Sequence, residues 1–541
     1  MNKNTFSFLQ KLSFILTIIV LSQGCGQRGT PTGGDKDQTA PEVQVSTPVN
    51  NATNFKGKEI VFKFDEYVKA SGFYNELLIS PPLNSKPTHK LVGKKLILKL
   101  DSALVPNTTY SVFLGKGIKD LNEGNPLEDN LLVFSTGDVI DSLSLSGEIY
   151  NAESMETLNE GMVHLYKSND DSVQSKKIPA YFAKVENGHF HFHNLTEGSY
   201  KIFALVDNNT NYLYDLPAEK IAFREELVLV SNQVDSSGII LKAFEQAEKK
   251  NFISSSNCDF IGKIDLIFNL PVENFYMKVI DVGYTKMSAS SQFKASDDSL
   301  TIWFESKPER DSILLAVKYD SKTDTLKFNL KNRKSIATQK IYAQHNFSGM
   351  GNYHKKPLFI SFTQPIRSID TNKLVLISDV DTVQAKFKSS GTLSRYQLLN
   401  TLQESKIYIL TLLPNAITSI FDAQNKDTLK VKFSTTALAS LSNMSLKYDF
   451  SGVKGKGILE IWNGGGLVEK KVLSTKKGSV QLLGIKPGEY KLKYIDDTDD
   501  NQEWTSGNYW TKQQPESVYW YTESINLRAN WDLDVQWTLK P

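Results

Sequence analysis

Two short stretches set oxygen-bearing side chains at alternating positions. In "DNNTNYLYD", Asp207, Asn209, Asn211 and Asp215 stand at offsets 0, 2, 4 and 8. In "DTDDNQEWT", Asp497, Asp499, Asn501 and Glu503 stand at 0, 2, 4 and 6. A tight loop rich in hard oxygens suits Ca²⁺, which takes six to eight of them and tolerates irregular geometry. The second loop carries more charge and is the stronger candidate. The same residues also suit Asx-turns that end a strand and bind nothing. A third stretch, "GHFHFHN", puts His189, His191 and His193 on one face of a strand, with Phe190 and Phe192 on the other. Three imidazoles so placed resemble part of a strand-borne zinc site. Neighbours on one face sit about 6.6 Å apart along the strand, so three cannot converge on one ion. Two can, with a third ligand from an adjacent strand. The competing reading is a solvent-facing strip over a phenylalanine core.

Elsewhere the residue types argue against catalysis. The chain has no G-x-S-x-G, Walker A, Rossmann fingerprint, H-E-x-x-H or paired C-x-x-C. Cys258 sits beside Asp259, which disfavours a thiolate. Five of the seven tryptophans lie in the last 38 residues. In "INLRANWDLDVQWTL" the alternation assigns Trp531 and Trp537 to the core face of one half-buried strand. Trp510, Tyr519, Trp520 and Tyr521 are freer, because "YWY" cannot hide three rings on one face. They are the expected contact surface, against either a neighbouring unit of the same chain or a partner. The acidic loops resemble the start of an EF-hand-type loop. They depart from it at the sixth position (Tyr212 and Gln502) and at the twelfth (Ala218 and Asn508).

The elements that must position these residues begin after an export signal. Lys3 and Lys11 form a basic segment ahead of an apolar run, residues 12–22, too short to span a bilayer. Ser22 and Gly24 then lead into Cys25, an arrangement that resembles a bacterial lipobox, although Leu21 stands one place further out than usual. The resemblance implies a signal peptide over 1–24 and an acylated Cys25 at the mature N-terminus. Two or more acyl chains, at about 0.8 kcal/mol per buried CH₂, anchor stably. Residues 25–40 read as a flexible tether. "CGQRGTPTGGDKDQTAP" resembles the mature start of Bacteroidetes lipoproteins that carry bacterial Ig-like domains of the surface-layer type.

Without its signal the chain retains 517 residues, room for several small domains. The net charge of +2 gives no field for nucleic acid. With Cys25 acylated, Cys258 has no disulfide partner in the chain. Aromatics in alternating runs predict an all-β fold. Residues 41–137 read as a β-sandwich, and "FKFDEYV", "LVPNTTYSVFL", "IKDLNEGNPL" and "FSTG" resemble a bacterial Ig-like domain. Residues 138–245 resemble a transthyretin-like, carboxypeptidase-regulatory sandwich through Gly188, Phe190, Phe192, Asn194, Leu195, Gly198 and Tyr200. A shift of 290 maps Leu195, Gly198, Tyr200, Asp207, Asn209 and Asn211 onto Ile485, Gly488, Tyr490, Asp497, Asp499 and Asn501. Residues 438–541 are therefore expected to be a second such sandwich, ending in Trp-rich strands. Residues 246–340 read as an Ig-like sandwich, and 341–437 echo the first Ig-like unit.

The expected molecule is a string of Ig-like and transthyretin-like sandwiches on a flexible lipidated stalk. The matching function is a non-enzymatic, outer-membrane-anchored lipoprotein that acts as an interaction or scaffold module in the cell envelope. Its expected partners are the membrane, through the lipid, and an envelope protein. No cofactor is required, and Ca²⁺ is the one ion the loops suit. The alternative is a carbohydrate-binding accessory lipoprotein that presents glycan through the C-terminal aromatics. The tether lacks an early acidic cluster, which leaves the periplasmic and the cell-surface face both open.

Overall fold

The computed structural model describes residues 37–539 apart from 129, 210, 217, 235, 247–250, 273–274, 281–297, 305–310, 321, 348–351 and 380. Cys25 and the tether up to residue 36 lie outside the described residues. Strands dominate the chain, with one four-residue helix, Phe73–Glu76, and a few 3₁₀ turns among the described residues. The all-β expectation holds.

Alternation builds the first unit. In Glu59–Phe64, Ile60, Phe62 and Phe64 are buried while Glu59 and Lys63 are exposed. This strand pairs with Val43–Thr47 and with Lys95–Lys99. A second sheet, Leu78–Ser80, Thr109–Phe113 and Leu131–Ser135, closes the sandwich. Phe62, Phe64, Leu96, Leu98, Tyr110 and Phe134 fill the space between the sheets.

The echo between 41–137 and 341–437 has a side-chain basis. The Tyr110 hydroxyl accepts from Val105 N–H at 2.9 Å, and the Tyr408 hydroxyl accepts from Gln403 N–H at 2.8 Å. Each ring stacks on a phenylalanine, Phe134 or Phe433. Thr136 and Thr435 each donate to the carbonyl of that same upstream residue, Val105 or Gln403. One polar corner is thus built twice.

The second and last units repeat in the same way. Leu143–Asn151 runs parallel to Ile239–Glu245, and Ser442–Asp449 runs parallel to Asp532–Thr538. The Tyr200 hydroxyl donates to the Thr196 carbonyl and the Tyr490 hydroxyl to the Lys486 carbonyl, both at 2.7 Å. Asn194 and Gly484, again 290 apart, both take left-handed backbone. Only glycine fits the second position, because a Cβ there would sit 2.2 Å from the Tyr353 ring.

Cys258 is a core residue of the third unit, packed with Ile264, Leu266, Phe268 and Tyr319. Burial pushes its thiol up to about 11, so it is inert at neutral pH. One expectation fails at the C-terminal strands. Trp531 is 45% exposed, whereas Trp537 is 5% exposed and belongs to the core. The chain turns between Ile525–Leu527 and Asp532–Thr538, with Asn530 left-handed, and the turn breaks the alternation. The Trp531 ring instead lies 5.0 Å from the Arg528 guanidinium.

Neighbouring units touch. Lys184 pairs with Glu76 at 2.8 Å across the first junction. Trp303, Ile336, Ile420 and Phe421 form a small cluster between the third and fourth units. The last unit does not trail away from the others. It packs back onto the second.

Candidate functional site

The contact between the second and last units is made by a loop that leaves the second acidic stretch, residues 504–516. Tyr509 at its tip is fully buried, in one cluster with Tyr166, Phe203, Tyr214, Phe223 and Phe244 of the second unit. Its ring meets Tyr214 edge-on at 5.2 Å. Its hydroxyl donates to the Asp171 carbonyl at 2.9 Å. Lys512 donates to the same carbonyl at 2.6 Å while its ammonium lies 3.9 Å from the Tyr509 ring centre. Ser506 donates to the Glu245 carbonyl and Gln514 to the Phe223 carbonyl. At Gly507 the loop lies so close that a Cβ would stand 2.5 Å from the Phe244 ring.

The predicted contact residues divide around this loop. Trp520 donates its indole N–H to the Ser154 carbonyl of the second unit at 2.8 Å. Lys493, almost wholly buried, lies 3.5 Å from Glu460 of its own unit and 3.9 Å from Glu153 of the second. Tyr519 and Tyr521 pack against the core of the last unit. Trp510 lies beside Tyr509 and remains 58% exposed.

The acidic loops form the roots of this arrangement. In the first, Asp207 accepts from Asn209 N–H and Tyr212 N–H, at 3.1 and 2.6 Å. Asn209 and Asn211 accept in turn from Asn211 N–H and Leu213 N–H. Both amide groups donate to Asp215, at 3.0 and 2.7 Å. Glu219, fully buried, accepts from the backbone N–H groups of Asn208, Asp215 and Leu216.

In the second loop, Asp497 accepts from Asn501 N–H and Gln502 N–H, at 3.2 and 3.0 Å. Asp499 accepts from the Thr505 hydroxyl at 2.7 Å. Glu516 accepts from Thr498 and from Thr505 N–H. Carboxylate oxygens of Asp497, Asp499 and Glu516 all lie within 4.8 Å of one another. Burial, with Asp499 adding to it, raises the Glu516 carboxyl above its ordinary range.

The loops therefore are successions of Asx-turns, and the second also gathers three carboxylates. Asn501 directs its carbonyl to Glu503 N–H, and the Glu503 carboxylate is not a member of the trio. Sequence spacing missed both closing acids. Glu219 lies one place beyond the position at which Ala218 stood in the EF-hand comparison. Glu516 is separated from Asp497 by the whole docking loop, and no local spacing could find it.

With this geometry in place, likeness to known proteins can be stated. Residues 37–136 match the family described as bacterial Ig-like domain. The first unit is similar to that family, in keeping with the bacterial Ig-like resemblance of its sequence. No curated protein matches the chain. Among solved structures, surface layer protein SbsC, domains 1–6, is 12% identical over 91% of this chain and 68% of that one, with a TM-score of 0.16. The major pilin subunit BcpA of Bacillus cereus is 10% identical over 73% of this chain and 99% of that one, with a TM-score of 0.14. Native α2-macroglobulin from Escherichia coli, domains MG0-NIE-MG1, is 9% identical over 36% and 91%, with a TM-score of 0.18. At such TM-scores none of them bears on the arrangement or the role of this chain.

Proposed function

We propose that this chain is a non-enzymatic scaffold of the bacterial envelope, held on the outer membrane by an acylated Cys25 and presenting its β-units to a protein partner. The observation that carries this reading is the back-docking of the last unit through Tyr509 and Trp520. It spends aromatic surface on fixing the units against one another, which gives a shaped platform. The glycan reading needs free aromatic rings. Trp520 is engaged with the second unit, Tyr519 and Tyr521 with the core of their own, and Trp510 alone of the four projects outward.

Crosslinking in intact cells followed by purification of the full chain tests the proposal. A specific envelope protein, recovered at similar yield in repeated pull-downs, is the expected result. Recovery of no protein beside strong signal on a glycan array would replace this reading with the alternative. Fractionation addresses the anchor separately. Cys25→Ala should move the protein from the membrane to the soluble fraction, and retention in the membrane would refute the lipid attachment.

A further inference from the structure

The histidine strand His189–Leu195 exposes its three imidazoles, while Phe190 and Phe192 enter the core of the second unit. The His191 and His193 rings stack, with centres 4.0 Å apart and 30° between the planes, so their nitrogens do not converge on one ion. A stronger constellation lies at the seam between the second unit and the docking loop. A cavity of about 200 Å³ stays open there. Phe203 and Phe223 line it, together with five charged side chains. Strand pairing sets Phe203 opposite Phe223, and Lys201, two residues before Phe203, shares that face. Arg224 follows Phe223 at the end of its strand. Lys512 enters from the docking loop.

Three of the five charged residues are cations, Lys201, Arg224 and Lys512, against Asp171 and Glu225, which leaves one positive charge in excess. The Asp171 side chain is 61% exposed and Glu225 is exposed as well, so both acids have access to water. Lys201 is only 9% exposed. Its single hydrogen-bond partner among the described residues is the Asp171 carboxylate, which leaves two of the three ammonium donors unpaired. Lys512 spends one donor on the Asp171 carbonyl and holds its charge against the Tyr509 ring. The Arg224 guanidinium has no hydrogen bond among the described residues, and its ion pair with Glu226 is long, at 4.0 Å. Burial lowers the Lys512 pKa, Asp171 opposes this, and the Lys201 charge lowers it further, so the two ammonium groups feel each other.

A charge taken out of water needs its donors paired. A buried ammonium with two spare donors, bordering a cavity with two further cations, therefore calls for an acceptor that the chain does not supply. That acceptor must answer cations from three elements at once. A carboxylate offers two oxygens in one plane. A tetrahedral oxyanion offers oxygens in every direction and carries more charge, and a guanidinium can take two of them side by side. At about 30 Å³ of liquid volume per water, the cavity has room for such an anion and several waters. We propose that this cavity is a binding site for a phosphate-type oxyanion, held between Lys201 and Arg224 of the second unit and Lys512 of the docking loop, and that the bound anion fastens the last unit onto the second. Lys512 reaches the site only when the loop is docked. The anion therefore binds the docked state more tightly and favours docking by the same factor.

The test is a calorimetric titration of the untagged mature chain with inorganic phosphate, in EDTA and at an ionic strength held constant with chloride. One phosphate per chain should bind with a dissociation constant below about 1 mM and raise the melting temperature over chloride alone. Arg224→Gln and Lys512→Met should each weaken binding by about tenfold or more. Arg224 is exposed, so its variant should melt as the wild type does in chloride. Lys388→Gln, on an exposed strand of the fourth unit, should leave binding unchanged. Tyr509→Ala removes the anchor of the docking loop and should weaken phosphate binding as well, and phosphate should in turn lower the radius of gyration of that variant in solution scattering. Glycerol phosphate in a parallel titration separates the sources: equal affinity assigns the site to the phosphate group of a larger molecule, and binding of inorganic phosphate alone assigns it to the free ion. No binding by the wild-type chain in that range would overturn the proposal. So would undiminished binding in both Arg224→Gln and Lys512→Met, or a melting shift that chloride reproduces at the same ionic strength. A radius of gyration indifferent to phosphate would overturn the fastening role.

Discussion

His164 shows how a single side chain sets a pH limit on the fold. It is fully buried, and Gln174 Nε2 lies 3.1 Å from its Nδ1. Burial lowers its pKa from 6.5 to about 4. The unfolded chain thus binds a proton between these values that the folded chain refuses. Stability is unaffected above pH 6.5, falls as pH drops from 6.5 to 4, and is flat again below. The loss over that window is about 3 kcal/mol. Urea melts at several pH values should show this fall, and His164→Gln should flatten it. An unchanged slope in the variant would assign the acid sensitivity to other groups. At the second acidic loop the corresponding prediction concerns calcium. If the trio of Asp497, Asp499 and Glu516 holds Ca²⁺ in the folded state only, millimolar Ca²⁺ raises the melting temperature over EDTA. Asp497→Ala with Asp499→Ala should remove most of that rise, and Glu516→Gln should reduce it. A melt indifferent to Ca²⁺ leaves these residues as strand-ending turns. The two Asp/Asn series were legible in the sequence because their oxygen-bearing side chains alternate locally. Glu516 was not, because its approach depends on where the docking loop returns.

At the scale of elements the docking loop 504–516 decides most. Valine at 507 would drive its side chain into the Phe244 ring, an overpacking cost of about 1–3 kcal/mol. Tyr509→Ala empties a buried aromatic site, worth about 3–5 kcal/mol for large aromatic truncations. The combined variant should undock the last unit while each sandwich keeps its own core. Far-UV circular dichroism should hardly change, while the radius of gyration from solution scattering should rise. Unchanged scattering would show that the contacts of Trp520 and Lys493 hold the units together without the loop. Alternating strands such as Glu59–Phe64 could be read directly, since a period of two shows in any six residues. The same rule misassigned Trp531, because it ran through a turn that Asn530 places between two short strands.

For the whole molecule, the sequence revealed a repeat and an order of units but no closure. The 290-residue shift rests on glycines, tyrosines and acidic loops that each unit needs for itself. Closure rests on carbonyls of Asp171, Phe223 and Glu245, which any residue type supplies, met by side chains some 260 to 340 positions away. This has a consequence in time. During synthesis the second unit is complete long before its cover exists. Phe203, Phe223, Phe244 and Tyr214 must wait in solvent until the last hundred residues arrive and fold. A chain ending at residue 437 stays in that waiting state. It should bind a hydrophobic dye and aggregate with rising concentration, and addition of a separately produced 438–541 fragment should suppress both. If the shortened chain stays monomeric and dye-free, the aromatic face is tolerated by water without its lid. On the expected outcome, the C-terminal unit acts on the second as an intramolecular chaperone that never leaves, and the vulnerable interval in the life of the protein is the one before its arrival.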